Sequence, residues 1–283
     1  WSGASPVIWG DRIFVPSGGE GTEAKNIRPM AGDRKAEGLD LLLLCLSKKD
    51  GSVLWKHTVA GVNYQFGKQN MSSPSPVTDG EHVWWLTGTG RLTALSMEGK
   101  TAWEIDLQEK YGKFGLGWGY GASPLLHEGH VIVPVLHGQK TDDPSYLVAF
   151  EGKTGKVVWK IERPTDAKNE SPDAYTTPMP MTVGGRTDIV VVGGDVITGH
   201  DPKTGKEIWR AGGLNPGKSG TYRSVSSPAV VGDLVFACVK KGPFVAFKGG
   251  GSGLVTDTHI AWTSASTCDV PTPVSDGTYL YIL

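Results

Sequence analysis

The sequence predicts an all-β protein, a β-propeller of four-stranded antiparallel blades, and three observations lead to this fold. One phrase recurs along the 283 residues: an apolar strand, a Gly-containing turn and a second apolar strand that carries a Trp. The recurring Trp residues stand 48, 56, 50 and 53 positions apart, and they are Trp55, Trp103, Trp159, Trp209 and Trp262. Each repeat has room for four short strands, the number in a propeller blade. A period of this length built from short strands is typical of a radial array of repeats.

The clearest copies of the phrase lie in the middle of the chain. They read AFEGKTGKVVW at Ala149–Trp159 and GHDPKTGKEIW at Gly199–Trp209. The Gly of each turn can adopt positive φ, and the Asp or Thr before it can hydrogen-bond to its own backbone, so we expect a tight hairpin. With the strands of a blade named A to D, this turn joins C to D, and strand D is expected to end near the Trp. The repeated indole is expected to pack one twisted sheet onto the next.

A proline opens each repeat. Each is followed by a short apolar stretch and a turn, and they are Pro6, Pro76, Pro124, Pro180, Pro228 and Pro273. Proline costs little at the first position of a strand, so strand A is expected directly after it. Strand B is expected at places such as Val83–Leu86 and Val131–Val135, and strand C at Leu92–Leu95 and Leu147–Phe150. Apolar runs of this length, bounded by Gly and Asp, favour strands over helices.

The repeats predict one domain over residues 1–283 with five full blades and part of a sixth. The expected blades are residues 1–62, 63–110, 111–166, 167–216 and 217–266, followed by a partial blade at 267–283. Trp1–Pro6 parallels Trp118–Pro124, and Tyr279–Leu283 reads as a strand B with no strand C after it. We therefore expect both ends to lie inside repeats of a longer ring, because propellers avoid open sheet edges by closure.

Composition excludes several classes of protein. Forty Gly, 18 Pro and 39% hydrophobic residues describe a turn-rich globular chain. A net charge of −1 provides no field that would attract nucleic acid or anionic lipid. No apolar stretch approaches the roughly 20 residues that cross a bilayer. The sequence thus predicts neither nucleic-acid binding nor a membrane span in this segment.

The cysteines and histidines suggest no metal or redox centre. Cys45 and Cys238 lie in apolar strand settings and are expected to be buried and reduced, whereas Cys268 lies in a loop. The cysteine count is odd and no Cys-x-x-Cys pair occurs, so the redox compartment stays open. The seven histidines show no spacing that zinc requires.

Two further motifs are assigned structural roles. Gly249–Gly253 resembles a phosphate loop superficially, but it lacks a Lys-Ser/Thr ending. We expect an irregular C–D hairpin turn there, with no helix after it. Ser123 and Ser227 precede strand A prolines and recur between blades, which favours packing over nucleophilic catalysis.

The turn Thr-Gly-Lys-x-x-Trp, with an acidic residue three positions before the Thr, resembles the tryptophan-docking repeat of pyrroloquinoline quinone (PQQ)-like β-propellers. Glu151 replaces the usual Asp in one of the two central copies, and the outer copies are degenerate. This superfamily includes quinoprotein alcohol dehydrogenases and the propeller lipoprotein of the bacterial outer-membrane assembly machinery. The resemblance implies a periplasmic or otherwise exported protein, but it says little about activity, since one fold hosts many functions.

The dehydrogenase branch of the resemblance implies specific cofactor residues. It implies PQQ beneath a ring of two adjacent cysteines, a Ca²⁺ held by Glu, Asn and Asp, and an Asp base. The chain has no Cys-Cys pair, and its candidate acidic groups, Asp11 and Asp142-Asp143, lie in separate turns and loops. We therefore predict no cofactor and no metal site. The alternative, a PQQ- and calcium-dependent oxidoreductase of the alcohol or sugar dehydrogenase type with cofactor residues partly outside this segment, stays open.

The loops after strands B and D are the predicted site, because they lie on one face and do not repeat. Aromatic residues beside Arg and Asp are typical of recognition surfaces. The predicted binding residues are Trp118, Tyr120, Tyr175, Tyr222, Arg223 and Asp269. The insertion Gly18–Gly38 is expected to overhang the same channel mouth. We predict a non-catalytic binding or scaffolding module for a protein, peptide or small ligand, with strand addition as one docking mode. The alternative is that these aromatics only plug the channel and pack the blades.

Overall fold

The computed structural model describes residues 2–19, 40–59, 63, 65–66, 69–266 and 268–283. All but the first two residues of the Gly18–Gly38 insertion lie outside the described residues. The chain forms two compact units, which are described separately below. Unit 1 comprises Trp1–Val131 and Phe150–Lys156, and unit 2 comprises Ile132–Ala149 and Val157–Leu283.

Unit 1 contains two four-stranded antiparallel sheets. The first has the order β1 (Val7–Trp9), β2 (Arg12–Gly18), β3 (Leu41–Ser47) and β4 (Val53–Val59). A short hairpin of β5 (Gln65–Phe66) and β6 (Gln69–Asn70) follows. The second sheet has the order β7 (Val77–Thr78), β8 (His82–Leu86), β9 (Arg91–Ser96) and β10 (Thr101–Asp106). Helix α1 (Leu107–Tyr111) follows β10 and is capped by the Asp106 side chain, which accepts from the Glu109 N–H.

A further sheet has the strand order β11 (Leu125–His127), β12 (His130–Val135), β13 (Tyr146–Glu151) and β14 (Val157–Glu162). The sheets of unit 2 come after β14. The first consists of β15 (Met179–Val183), β16 (Arg186–Gly193), β17 (Val196–His200) and β18 (Glu207–Ala211). The second consists of β19 (Ala229–Val231), β20 (Leu234–Ala237), β21 (Phe244–Lys248) and β23 (Ile260–Ser264).

Three smaller elements complete unit 2. They are β22 (Gly253–Leu254), helix α2 (Thr256–His259) and the pair β24 (Val274–Ser275) with β25 (Leu280–Tyr281). Strand β22 pairs in parallel with β18 and extends that sheet to five strands. No helix among the described residues is long and apolar enough to cross a membrane.

The repeated four-strand meander confirms the predicted all-β propeller fold. Strands B and C of each sheet form the core, as in β8 and β16, whose apolar residues are almost completely buried. Strand D alternates between exposed and half-buried residues, as in β4 and β10. The difference arises because B and C are flanked by a strand on both sides, whereas D lies at the edge of its sheet.

Strand D was predicted to end near the Trp, and the structure places its end a few residues beyond the Trp. In all five copies the Trp is the third residue of the strand, which continues for two to four further residues. After Trp55, for example, the segment Lys56–Val59 still pairs with β3, up to Leu41 opposite Val59. These later positions alternate between polar and apolar side chains, and Val59 and Ala211 among them are buried, so the strand continues past the Trp with the same two-sided pattern.

Three of the recurring Trp residues contact the C–D turn of the next sheet along the chain. Trp55 Nε1 donates to the Met97 carbonyl at 2.8 Å, Trp103 Nε1 to Gly152 at 2.7 Å and Trp159 Nε1 to Pro202 at 3.0 Å. Each indole also lies flat against a turn glycine that has positive φ, and these glycines are Gly99, Gly155 and Gly205. The N–H is thereby satisfied and the ring is packed, as a buried indole requires.

Trp209 and Trp262 behave differently. Trp209 folds over Gly199 of its own sheet and donates to Asp188 Oδ2 at 2.7 Å. Trp262 is 44% exposed and contacts Phe236 and Phe244 of its own sheet.

The C–D connection after Trp209 shows why it differs. The expectation of a hairpin turn at Gly249–Gly253 without a following helix was wrong. The connection instead contains β22, which pairs beside Trp209, and the one-turn helix α2. No Thr-Gly-Lys turn therefore stands where Trp209 would meet it.

A hydroxyl residue directly precedes the strand A proline in all six repeats. We call this set the hydroxyl series, and its members are Ser5, Ser75, Ser123, Thr177, Ser227 and Thr272. In unit 1 the Ser5 N–H donates to Ser75 Oγ and the Ser75 N–H to Ser123 Oγ, both at 2.9 Å. In unit 2 the Thr177 N–H donates to Ser227 Oγ at 2.9 Å and the Ser227 N–H to Thr272 Oγ1 at 3.2 Å. The predicted packing role of Ser123 and Ser227 is confirmed.

The hydroxyl series corrects one proline assignment. Strand β15 begins at Met179, directly after Pro178, so Pro178 is the proline that opens the fourth repeat. Pro180 lies inside β15 opposite Ile189. Proline is tolerated there because β15 is an edge strand with only one neighbour.

Candidate binding site

Strands B and D of one sheet run in the same direction, so the loops that follow them emerge at the same end. In unit 2 these loops are the turn Gly194–Asp195 after β16, residues 163–178 after β14 and residues 212–228 after β18. The described residues of this end are therefore the place to look for the predicted site.

The predicted residues of unit 1 lie in the loop after α1. Tyr120 is buried, and its ring packs against Phe114 with centroids 4.6 Å apart. Trp118 is half-buried, and its carbonyl accepts from Gln69 Nε2 at 2.6 Å. Tyr120 thus contributes to the packing of this loop, and the binding role of both residues stays a prediction.

The predicted residues of unit 2 join two loops. Arg223 Nη1 pairs with Glu170 Oε1 at 2.8 Å, and the two side chains are only 5% and 17% exposed. The Tyr175 N–H donates to the Ser224 carbonyl, and the Tyr222 N–H donates to Ser171 Oγ. The rings of Tyr175 and Tyr222 are half-buried. Arg223 is thus held in a buried ion pair, which is costly to break from one side.

Asp269 lies in the next loop along the chain. It is partly buried, and its Oδ1 is a buried oxygen that receives no hydrogen bond from the described residues. Such an oxygen is unusual in a folded protein, because an unsatisfied buried acceptor costs free energy. The structure therefore brings Tyr175, Tyr222 and Arg223 together in two joined loops. Asp269 lies in a different loop, the one between β23 and β24.

A cleft of about 1060 Å³ opens at this end of unit 2. We call it the loop cleft, and its polar lining residues are Asp166, Lys168, Asp195, Arg210, Asn215 and Lys218. Leu254 and Thr256 of the β22–α2 insertion also line it. None of the six predicted site residues is among the described lining. The sequence did not predict the loop cleft because its charged residues are isolated in the sequence and form no motif. In addition, the β22–α2 insertion that lines it was predicted to be a hairpin turn.

Asp195 lines the loop cleft from a tight two-residue turn. Gly194 and Asp195 join β16 to β17 with φ values of 59° and 68°, a two-residue hairpin turn of type I′. Asp195 Oδ1 accepts from Asn215 Nδ2 at 2.9 Å. Burial raises the pKa of the Asp195 carboxyl, and the hydrogen bond from Asn215 offsets part of that rise.

Arg163 braces the same turn from inside the sheet. Its guanidinium is fully buried and donates to Gly193 O at 2.9 Å, to Val196 O at 3.2 Å and to Thr198 Oγ1 at 2.9 Å. Burial lowers the pKa of Arg163 to about 9, so it stays protonated at neutral pH. These acceptors are neutral oxygens, so hydrogen bonds rather than a contacting carboxylate hold the guanidinium in place.

His200 completes this buried network. Its Nδ1 lies 2.9 Å from the Gly205 carbonyl and therefore carries the proton, while Nε2 lies 2.8 Å from Thr198 Oγ1 and accepts from that hydroxyl. Burial, and next the charge of Arg163, lower the pKa of His200 to about 4. The imidazole is thus neutral at physiological pH and acts as a structural hydrogen-bonding group.

One cluster of candidate metal ligands among the described residues can be compared with what calcium requires. The one group of three candidate ligands among them is Asp79, Glu81 and His82, at the A–B turn of the second sheet in unit 1. Asp79 Oδ1 already accepts from the N–H groups of Glu81 and His82, and Glu81 pairs with Lys153. Ca²⁺ takes six to eight oxygen ligands, and this exposed group offers two carboxylates and an imidazole.

Comparison with known proteins identifies the family. The family model described as "Outer membrane protein assembly factor BamB" matches residues 40–282, most of the chain. The chain belongs to this family. The resemblance to PQQ-like propeller repeats is thereby confirmed.

Known relatives include both enzymes and assembly factors. The chain is 26% identical over 170 residues to a polyvinylalcohol dehydrogenase from Pseudomonas sp, an alignment that covers 56% of this chain and 22% of that protein. The chain therefore spans about a fifth of the curated relative that it matches.

The solved structures that resemble this chain also include both an assembly factor and dehydrogenases. BamB from Moraxella catarrhalis matches with a TM-score of 0.58 and 17% identity over 87% of this chain and 66% of that one. A quinohemoprotein alcohol dehydrogenase from Comamonas testosteroni matches with a TM-score of 0.56 and 14% identity, over 88% of this chain and 41% of that one. A europium-containing methanol dehydrogenase matches with a TM-score of 0.58 and 14% identity, over 88% of this chain and 50% of that one. At these identities the likeness shows the fold alone.

Proposed function

We propose that this chain is an exported, non-catalytic binding propeller that recognises an extended segment of a partner protein through the loop cleft. The observation that carries the proposal is the cleft itself, which is lined by the loops that do not repeat. A cleft of about 1060 Å³ lies at the upper end of the range for small-molecule pockets, roughly 300–1,000 Å³. It therefore suits a peptide segment better than one compact ligand.

The lining chemistry supports a polypeptide partner. Lys168 and Lys218 face the solvent on two different loops, and Asp195 lies in the β16–β17 turn and accepts from Asn215. Charges of both signs, with an amide between them, match a backbone that offers both donors and acceptors. The family description, an assembly factor for outer membrane proteins, supports the proposal that the partner is an outer-membrane protein, and we take it to be one that has not yet folded.

The test uses an unfolded outer-membrane β-barrel protein, fluorescently labelled and diluted from urea, as the probe. The expected result is saturable binding by fluorescence anisotropy that weakens about tenfold, or ~1.4 kcal/mol, in the double variant Lys168→Ala/Lys218→Ala. Lys203→Ala is the matched control, because Lys203 is also exposed but lies in the turn before β18, at the opposite end of that strand from Lys218. Equal binding by the double variant and the wild type would contradict the proposal.

A second candidate is a quinoprotein oxidoreductase, favoured by the similarity to polyvinylalcohol dehydrogenase. The poor fit to calcium of the one ligand cluster among the described residues counts against it. The measurement is the melting temperature with and without PQQ plus Ca²⁺, because any ligand of the native state must raise it. A rise that increases with PQQ concentration would favour the enzyme, and an unchanged melting temperature would favour the binding propeller.

A further inference from the structure

We propose that Cys238 and Cys268 form a disulfide bond that fastens the loop before β24 to the sheet of β19, β20, β21 and β23. Cys238 follows β20 directly, and Cys268 lies in the loop between β23 and β24. Both thiols are present as free cysteines here, and both residues are buried, with 0% and 1% exposure. The inference is independent of the binding role proposed above.

The two cysteines are brought together by tertiary structure. They are 30 positions apart, yet Cys238 Sγ lies 2.8 Å from the Cys268 carbonyl oxygen, so the two residues are in direct contact. Cys268 Sγ also lies 3.8 Å from Ser226 Oγ, so the loop is held against the strand A entry as well. Both cysteines belong to one buried apolar cluster with Phe236 and Phe244. Cys45, the third cysteine, lies in β3 of unit 1.

The pair is chemically asymmetric. The hydrogen bond from Cys238 lowers the pKa of the Cys268 thiol to about 7, and the same bond, followed by burial, raises the pKa of Cys238. The thiolate is the nucleophile in thiol–disulfide exchange, and a thiol with a pKa near ambient pH attacks best. Cys268 also lies in a loop with exposed residues on either side, whereas Cys238 directly follows a core strand, so we expect Cys268 to react first and Cys238 to be the resolving cysteine.

The reaction is a two-step exchange with a disulfide oxidant such as glutathione disulfide or an oxidised thiol oxidoreductase. The Cys268 thiolate attacks one sulfur of the oxidant, forms a mixed disulfide and expels one thiolate. Cys238 then loses its proton and attacks Cys268 Sγ, which expels the second thiolate. Two protein thiols are oxidised and one disulfide is reduced to two thiols, so atoms and electrons balance.

The oxidant reaches the pair through local opening of the loop. Ser266 and Val270, which flank Cys268, are both exposed, and β24 and β25 pair only with each other. Segments with so few buried contacts open more readily than a core sheet. Once formed, the bond closes a loop of about 30 residues, which restricts the unfolded chain and stabilises the native state.

The first experiment needs no variant. The folded protein is incubated with glutathione disulfide, unfolded in the presence of N-ethylmaleimide and analysed by intact mass and peptide mapping. The expected product carries one maleimide, on Cys45, and a cross-linked peptide that contains Cys238 and Cys268. Three maleimides, a stable glutathione adduct without a cross-link, or a cross-link that includes Cys45 would overturn the proposal.

Matched variants check the assignment and its effect. Cys45→Ser is expected to form the same cross-link, whereas Cys268→Ser and Cys238→Ser are expected to form none. Reduction is expected to lower the melting temperature of the oxidised protein by about 5–10 °C, and that of Cys268→Ser treated in the same way not at all. An equal response of both proteins to the reductant would contradict the stabilising role.

Discussion

Glycine is required at some positions for two reasons, a positive φ and a close approach of another residue, and both apply at Gly155. It has a φ of +70°, and a Cβ at this position would lie 2.7 Å from the Trp103 ring. Gly129 has a similar φ of +76°, but a Cβ there would meet open space. The two positions therefore separate the cost of the backbone conformation from the cost of the close approach.

Gly155→Ala is expected to lower the free energy of unfolding by about 2–4 kcal/mol, because strain and overpacking add. Gly129→Ala is expected to cost only about 1 kcal/mol, from the backbone conformation alone. Urea denaturation of both variants measures the difference. Equal losses would mean that the indole moves aside without cost.

His200 is a pH-sensitive group with no exposed surface. Its pKa is lowered from 6.5 to about 4 in the folded protein, so the unfolded chain binds more protons between these values. Stability is therefore fully present above about pH 6.5 and is lost as the pH falls towards 4, by about 3 kcal/mol in total.

We expect His200→Gln to reduce the acid sensitivity of the wild type. Urea denaturation at about pH 7.5 and about pH 4.5 measures it, with His259→Gln as the control that is expected to retain the wild-type dependence. If His200→Gln lost as much stability in acid as the wild type, other groups would account for the effect.

Among the elements, the loops that enter strand A are joined by the hydroxyl series. Ser227 takes part in two of its bonds, accepting from the Thr177 N–H and donating its own N–H to Thr272 Oγ1. The bonds connect the starts of β15, β19 and β24, which are not neighbours within any one sheet. They therefore stabilise the order of the sheets rather than any single sheet.

Ser227→Ala removes the acceptor of the Thr177 N–H and is expected to lower the free energy of unfolding by about 1 kcal/mol. Ser252→Ala, at an exposed position in the β21–β22 connection, is the control and is expected to change it by less than about 0.5 kcal/mol. Thermal and urea unfolding both measure this. An effect at Ser227 no larger than that at Ser252 would show that the bond contributes nothing.

The insertion with β22 and α2 is the clearest departure from the repeat. It adds a parallel strand to β18, lines the loop cleft with Leu254 and Thr256, and leaves Trp209 to pack on its own sheet. One irregular connection therefore changes both the sheet edge and the candidate site. Irregular segments on a regular scaffold are where function is commonly found.

Across the whole molecule, stability is expected to vary strongly between elements. Strands β16 and β17 are almost fully buried and have a neighbouring strand on both sides, whereas β24 and β25 are mostly exposed and pair only with each other. Hydrogen exchange followed by mass spectrometry is expected to show the slowest amides in β16 and β17 and the fastest strand amides in β24 and β25. Equal protection would mean that the chain unfolds only as one cooperative unit.

Much of this fold was predictable from local patterns. The C–D turns at Gly155 and Gly205 follow from the Thr-Gly-Lys phrase, and the strand A positions follow from the prolines, because turn chemistry and period-two patterning act over a few residues. The choice of Pro180 as the proline that opens the fourth repeat was wrong, because Pro178 and Pro180 lie two positions apart and the local sequence suits either. The start of β15 and the hydrogen bond of Thr177 to a distant loop identify Pro178.

The candidate site was much less predictable. Arg223 was predicted as a binding residue, but its ion pair with Glu170, 53 positions away, could not be predicted. The charged and amide side chains that line the loop cleft come from one strand and several loops spread over more than 50 positions, and they share no motif. Loop conformation depends on contacts between segments far apart in the chain, which a single sequence does not display.

The amino-acid sequence by itself determined the propeller fold, its four-stranded repeats and the positions of most turns, because these depend on glycines, prolines and apolar runs that act on their near neighbours. Only the tertiary structure decided which Trp residues meet the next sheet, that Cys238 meets Cys268, and that Asp195, Asn215 and two lysines surround one cleft. The physical reason is that these contacts join residues tens of positions apart in the sequence, and such residues come together only when the sheets have packed.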